Sequence, residues 1–222
     1  MKTEIISFTT RGYELSKKLL GLIDGEVHIN TGSKKTAEIL NITYKNHNVW
    51  TKENFDLADN LIFIGATGIA IRSVAPFLKS KTTDPAVLVI DERGSFVIPI
   101  LSGHIGGANK LAIMVSEKLN ATPVLTTATD VNNVFSIDSW AVEQGLKVHN
   151  PYKIKDVSAK ILEGETITIM SEIPINGDVP DGVKIINFTD NDVSDVKIIA
   201  NAVEKSSYLV LLYDDNTKSI SF

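Results

Sequence analysis

Leu61-Ile-Phe-Ile-Gly-Ala-Thr-Gly-Ile-Ala-Ile-Arg72 carries the change of period that sets the fold. Its first four residues form a continuous apolar run, the pattern of a strand buried on both faces of a parallel sheet. After Gly65 the period becomes helical, with Ile71, Val74, Ala75 and Leu78 on one face. Upstream, Ile5 to Phe8 reads as a strand and Arg11-Gly12 as a turn, after which Leu15, Leu19 and Leu22 recur at helical spacing. Val27 to Ile29 is a second strand candidate. Asn30 to Asn60 shows no clear period beyond a short helix expected over Thr36 to Leu40.

Downstream, Ala86 to Ile90 and Phe96 to Ile100 flank Asp91-Glu-Arg-Gly-Ser95 as a hairpin, with Gly94 free to take positive φ. Ala108, Leu111, Ala112, Val115 and Leu119 mark another helix, and Pro123 to Leu125 one more short strand. This alternation predicts an α/β domain over residues 1–135, a layered, mostly parallel sheet with helices on both faces. The pattern changes after Asp130. Val131-Asn-Asn133 is turn-like, Ser136 to Gln144 reads as a helix ended by Gly145, and Asn150-Pro151 opens a helix carrying Ile154, Val157 and Ile161. Strands are expected at Thr166 to Met170, Val183 to Asn187 and Tyr208 to Leu212, with a loop over Ser171 to Gly182. Residues 136–222 are therefore expected to form a second, smaller α/β domain.

Composition limits the function. The 222 residues are 43% hydrophobic and 22% charged, an ordinary globular balance. The formal net charge of -5 argues against general nucleic-acid binding, which needs clustered Lys and Arg. There is no cysteine, which excludes disulfides, thiolate catalysis and zinc–thiolate sites and is compatible with the cytoplasm. No apolar stretch approaches the roughly 20 residues of a membrane span, and the N-terminus lacks the apolar region of a signal peptide.

Three polar segments each follow an expected strand: Gly65 to Arg72, Ser102 to Asn109, and Thr126-Thr-Ala-Thr-Asp130. Ligands of open α/β sheets bind at the carboxyl ends of strands. If Ala86 to Ile90 is the antiparallel member of the hairpin, all three segments converge on one edge. In Gly65-Ala-Thr-Gly68 the glycines allow close backbone approach, the following helix offers unpaired N–H groups, and Arg72 can fork onto a carboxylate. A plain strand-to-helix turn capped by Thr67 explains the same residues. The stretch is neither a Walker loop nor GxGxxG, so nucleotide binding is not indicated.

Ser102-Gly-His-Ile-Gly-Gly-Ala-Asn109 holds a histidine in a glycine-rich turn. His104 can move a proton near neutral pH, and Gly106-Gly107 can offer N–H groups to a carboxylate or oxyanion. A backbone-bonded turn histidine is the plainer alternative. No second histidine stands at ligand spacing, so a protein-held metal is not expected. Asp130 can orient His104 or cap the next segment. Asp84-Pro85 reads as a turn, and His28, His47 and His149 receive no role. Ser102 as a hydrolase nucleophile is a weak reading, because residues 100–104 are Ile-Leu-Ser-Gly-His and lack the Gly-x-Ser-x-Gly elbow.

Gly65 to Pro76, Thr83-Asp-Pro-Ala86, Leu101 to Asn109, and Ala121-Thr-Pro-Val124 through Asp130 resemble, in this order and spacing, the cobalt-precorrin-5A hydrolase (CbiG) family of anaerobic cobalamin synthesis. The resemblance is specific from about Leu61 to Gly145, and residues 136–222 are similar to the family's middle domain. It implies a cobalt-bearing contracted tetrapyrrole as substrate. Water opens its δ-lactone, acetaldehyde leaves, and cobalt-precorrin-5B results. The cobalt arrives in the substrate, so no cofactor is implied.

For this chemistry His104 is expected to be the general acid/base, with Asp130 positioning it. Substrate binding is expected of Gly65, Thr67, Gly68, Arg72, Ser102, Gly103, Gly106, Gly107, Asn109, Thr126 and Thr127. A cleft more basic than the rest of the surface is expected between the two domains. The family commonly carries a C-terminal domain opening with a glycine- and cysteine-containing segment. With no cysteine and a last residue Phe222, that domain is expected elsewhere, as the remainder of a longer protein or as a separate polypeptide. Expected partners are the cobalt-corrinoid intermediate and that domain or other pathway enzymes. The alternative reading is a non-catalytic corrinoid-binding module.

Overall fold

The computed structural model describes residues 1–186, 194–201 and 206–222. Contacts divide the chain into two units, Met1–Leu125 and Thr126–Phe222. The boundary expected after residue 135 falls inside the second unit.

The first unit runs β1 (Lys2–Ser7), α1 (Thr10–Leu20), β2 (Glu26–Thr31), α2 (Lys34–Leu40), α3 (His47–Asn54), β3 (Asn60–Ile64), α4 (Thr67–Val74), β4 (Ala86–Ile90), β5 (Phe96–Leu101), α5 (Ala108–Leu119) and β6 (Thr122–Pro123). Its sheet has the order β2-β1-β3-β4-β5-β6. All five residues of β3 are buried because side chains alternate between two covered faces. Ile62 and Ile64 join Ile5, Leu88 and Ile90 against Leu19 of α1 and Leu111, Ala112 and Val115 of α5. Leu61 and Phe63 join Ile6, Val87 and Val89 against Trp50 of α3 and Ala70 and Val74 of α4. Each Val, Leu, Ile or Phe among them contributes about 1.5–3 kcal/mol by leaving water. Trp50 also meets Phe63 edge-on, with centroids 5.3 Å apart. Helices thus cover both faces, as the continuous apolar run of β3 requires.

Strands β1 to β4 are mutually parallel. β5 is antiparallel to β4, and β6 runs parallel to β5. This corrects the expected strand direction, since β5 and not β4 is the reversed strand. Both strands are apolar runs joined by a tight turn, and nothing in that pattern tells which one shares the direction of β3. The turn itself forms as expected. The Asp91 carboxylate accepts N–H bonds from Arg93 (3.0 Å), Ser95 (2.7 Å) and Phe96 (2.7 Å), and Gly94 sits at φ 71°. Pro99 is accommodated because β6 pairs only with Phe96 and Val97, so β5 is an edge where Pro99 lies.

The second unit contains α6 (Ala128–Val131), α7 (Ile137–Glu143), β7 (Lys147–Val148), α8 (Ile154–Leu162), β8 (Ile167–Ser171), β9 (Ile175–Asn176), β10 (Val183–Ile186), β11 (Val196–Ile199), β12 (Leu209–Leu212) and β13 (Ile220–Ser221). β10, β8, β11 and β12 are parallel neighbours in that order, and β7 closes the edge antiparallel to β12. Ile154, Val157 and Ile161 form the buried stripe of α8. Gly145, at φ 70°, follows α7. The pair β9–β13 interrupts the expected loop over Ser171 to Gly182. Asn187, the expected last residue of a strand, lies outside the described residues.

Candidate functional site

Strand direction decides where the two glycine turns sit. Gly65 follows β3 and lies at the carboxyl edge of β1–β4, its N–H bonded to the carbonyl of Ile90 (2.9 Å). Leu101, the last residue of β5, pairs with Val87 near the start of β4, so Ser102 lies at the amino edge. β3 is five residues long, and at about 3.3 Å per residue the two edges are roughly 17 Å apart. The convergence of the Gly65 and Ser102 turns on one edge is therefore overturned. Thr126, Thr127 and Asp130 belong to the second unit, where Thr127 is the N-cap residue of α6 and Asp130 lies in its first turn.

At the carboxyl edge, Ala66 occupies the N-cap of α4 with no side-chain cap. Thr67 is the first helical residue, which corrects its reading as the cap. Arg72 is exposed, and its Nη1 donates to the carbonyl of Gly68 at 3.1 Å. The guanidinium thus folds back over the first turn of the helix, because helical side chains lean toward the N-terminus. An anion at the Thr67 and Gly68 N–H groups would meet both the helix dipole and this cation. Two residues given no role also stand here. A Cβ on Gly65 would lie 2.8 Å from Cδ2 of Phe8, and one on Gly32 2.6 Å from its Cε1, so the Phe8 ring dictates both glycines. His47 meets that ring edge-on at 5.8 Å. In the sequence Phe8 ends an apolar run and counts only as core.

At the amino edge, residues 102–109 form a closed turn. Gly107 N–H donates to the His104 carbonyl (2.9 Å), Ala108 N–H to that of Ser102 (3.1 Å) and Asn109 N–H to that of Gly103 (2.9 Å). Of the two donors expected for an oxyanion, Gly106 and Gly107, the Gly107 N–H is spent inside the turn and drops out of that role. The glycines have steric causes. A Cβ on Gly106 would lie 2.3 Å from Cβ of Ser102, and one on Gly103 2.9 Å from Oδ1 of Asn109. Gly107 takes φ 80° to open α5. Ser102 takes φ 56°, a strained conformation for a residue with a Cβ. It is 8% exposed, and its hydroxyl donates to the carbonyl of Asp84 at 2.9 Å. Ser102 is thus turned inward, away from the substrate-binding role expected for it and from that of a nucleophile. Asn109 is buried and His104 half-buried.

Among the described residues no three His, Cys, Asp or Glu side chains form a group able to hold a metal ion, and no helix is long and apolar enough to cross a membrane.

An α/β sheet covered on both faces and bearing two glycine turns, followed by a second parallel α/β unit, defines a class of two-unit α/β proteins. Two family descriptions match the chain in order: "Cobalamin synthesis G N-terminal" over residues 49–130 and "Cobalamin biosynthesis central region" over 135–212. The chain belongs to the cobalamin biosynthesis G (CbiG) family. It is similar to a cobalt-precorrin-5A hydrolase of Salmonella typhimurium, with 53% identity over 92 residues, 41% of this chain and 26% of the relative. It is also similar to one of Priestia megaterium, with 42% identity over 118 residues, 53% of this chain and 32% of the relative. A crystal structure described as a cobalamin biosynthesis protein G homologue of Sulfolobus solfataricus shares 27% identity at a TM-score of 0.50, covering 95% of this chain and 60% of that one. The matched segments span about a third or less of these two curated relatives.

Proposed function

We propose that this chain supplies the N-terminal and central portions of a cobalt-precorrin-5A hydrolase. The observation that carries the reading is the ordered pair of family matches, joined to relatives that bear that name. Water adds to the δ-lactone of the cobalt-bearing tetrapyrrole, and a two-carbon fragment leaves as acetaldehyde. The cobalt is part of the substrate, and no resident cofactor is invoked.

The two turns then have different tasks, because one reacting atom cannot touch both edges of the sheet. His104 is the acid/base at the amino edge. It needs to accept a proton from the attacking water and return one to the departing fragment, which a neutral imidazole does near pH 7. Thr67, Gly68 and Arg72 bind a carboxylate at the carboxyl edge. Asp130, Thr126 and Thr127 remain proposed contributors from the second unit. Anaerobic conversion of cobalt-precorrin-5A by this chain, followed by mass spectrometry, tests the reading. The expected product lacks a two-carbon fragment, and unchanged substrate after many turnover times of the relatives argues against it.

One observation favours the second reading, a corrinoid-binding module completed by a further domain. The Gly107 N–H is spent inside the turn, so the oxyanion lacks one of its two expected donors. Tight corrinoid binding without product marks that case.

A further inference from the structure

We infer that Ser102 and Asp84 are positioning residues that hold the His104 turn in place, an inference resting on the reading of His104 as the acid/base. The segment Thr83-Asp-Pro-Ala86 is unused by the chemistry above, yet it meets the histidine turn directly. Asp84 is 7% exposed. Its carboxylate accepts N–H bonds from Lys79 and Ser80, each at 3.1 Å, and its own N–H donates to the Ser80 carbonyl at 2.9 Å. A buried carboxylate satisfied by backbone donors fixes the loop that carries it. Pro85 adds stiffness, because the residue before a proline is held out of the helical region.

The fixed loop presents the Asp84 carbonyl to Ser102. The Ser102 hydroxyl donates to it at 2.9 Å, within a buried contact joining residues 18 apart in sequence. Ser102 then organises the turn in two further ways. Its carbonyl accepts the Ala108 N–H at 3.1 Å, and its Cβ occupies the space that a side chain on Gly106 would need. Ser102 thus ties the turn to the Asp84 loop two positions ahead of His104. Its positive φ is a conformation that non-glycine residues adopt only when neighbouring contacts over-determine it, and the two hydrogen bonds hold it there. With its proton committed to a backbone carbonyl, Ser102 acts through the histidine and not on the substrate.

The test is a double-mutant cycle with a structural readout. In the full chain under turnover conditions, Ser102→Ala is expected to lower kcat by about 10- to 100-fold, the scale of an ångström of misplacement, with KM changed less than about twofold. In the His104→Ala background the same substitution is expected to cost nothing further, since two residues acting as a unit are not additive. An equal loss in both backgrounds, a raised KM at unchanged kcat, or normal kcat in Ser102→Ala overturns the inference. Normal turnover by His104→Ala instead removes the histidine from the mechanism, a distinct failure. Should Ser102→Ala not fold, Ser102→Gly keeps the positive φ without strain and still deletes the hydroxyl. The imidazole NMR signals of His104 are expected to move in Ser102→Gly and in Asp84→Asn. Signals unchanged in both variants overturn the positioning role independently of any activity.

Discussion

Gly106→Ala is the most informative single substitution, because the structure gives its cost a steric origin. A Cβ at this position would stand 2.3 Å from Cβ and 2.9 Å from the carbonyl oxygen of Ser102. Carbon atoms in contact normally sit about 3.5–4.0 Å apart, so one side must retreat by more than about 1 Å. Neither side retreats easily, because the atoms opposed to the new methyl belong to the backbone and Cβ of a buried residue. Ser102 is held by Asp84 and by Ala108, and it already occupies a strained φ. Overpacking of this kind costs about 1–3 kcal/mol.

The adjacent Gly107 is the internal control. A Cβ there meets nothing within 4 Å, so Gly107→Ala carries only the cost of φ 80°, about 1–2 kcal/mol. The assay is a urea titration followed by fluorescence of Trp50 and Trp140, one in each unit. The first unit should lose stability in both variants. The histidine turn moves only in Gly106→Ala, so turnover per folded molecule should fall about 100-fold there and stay near normal in Gly107→Ala. A Gly106→Ala protein with wild-type stability and activity would refute the claim that the turn is closed by sterics.

Three further outcomes follow from particular contacts. Burial raises the Asp91 carboxyl, but N–H donors from Phe96, Arg93 and Ser95 outweigh it and hold its pKa below the usual value. Such a group stabilises the fold above the unfolded pKa of about 3.9. That contribution is lost as pH falls through the lower folded pKa, so acid unfolding of wild type should be steeper below pH 4 than that of Asp91→Ala. In the second unit Asp195 pairs with Lys160 (2.6 Å) and also accepts the Thr168 N–H (2.8 Å) and hydroxyl (3.0 Å). Asp195→Ala should therefore cost about 1–3 kcal/mol by denaturant titration, whereas Lys160→Ala, which removes only an exposed cation, should cost under about 1 kcal/mol. Gly65→Ala should destabilise by pressing on the Phe8 ring, and Phe8→Leu should relieve much of that loss. Additive costs in that pair would count against the ring as the reason for the glycine.

The β3 segment was legible because burial on both faces leaves only one reading of Leu61 to Ile64, and both helices flanking the glycine turns follow from apolar spacing. The hidden parts are those fixed by long-range pairing. Trp50 of α3 lies in a polar stretch whose period is short and broken, and its burial appears only once the sheet face bearing Ile6, Leu61 and Phe63 covers it. β9 and β13 are two residues each and exist because they pair with one another across the second unit. The glycines of the candidate site were readable as special positions. Their cause was not, since a glycine demanded by Ser102 or Phe8 looks the same in sequence as one that cradles a ligand. Strand direction in the hairpin had the largest consequence: reversing β5 sent the Ser102 turn to the other edge and split one expected site into two places.

The central claim is that chemistry belongs to the His104 edge and carboxylate binding to the Arg72 edge. The most direct measurement is anaerobic release of acetaldehyde from cobalt-precorrin-5A, trapped and quantified across substrate concentrations for wild type, His104→Ala and Arg72→Ala. The account predicts that His104→Ala loses about 100-fold or more in kcat with little change in KM. Arg72→Ala should raise KM and leave kcat within a few-fold. Near-normal kcat in a folded His104→Ala protein, with the loss of kcat falling on Arg72→Ala instead, would contradict it and move the reaction to the carboxyl edge.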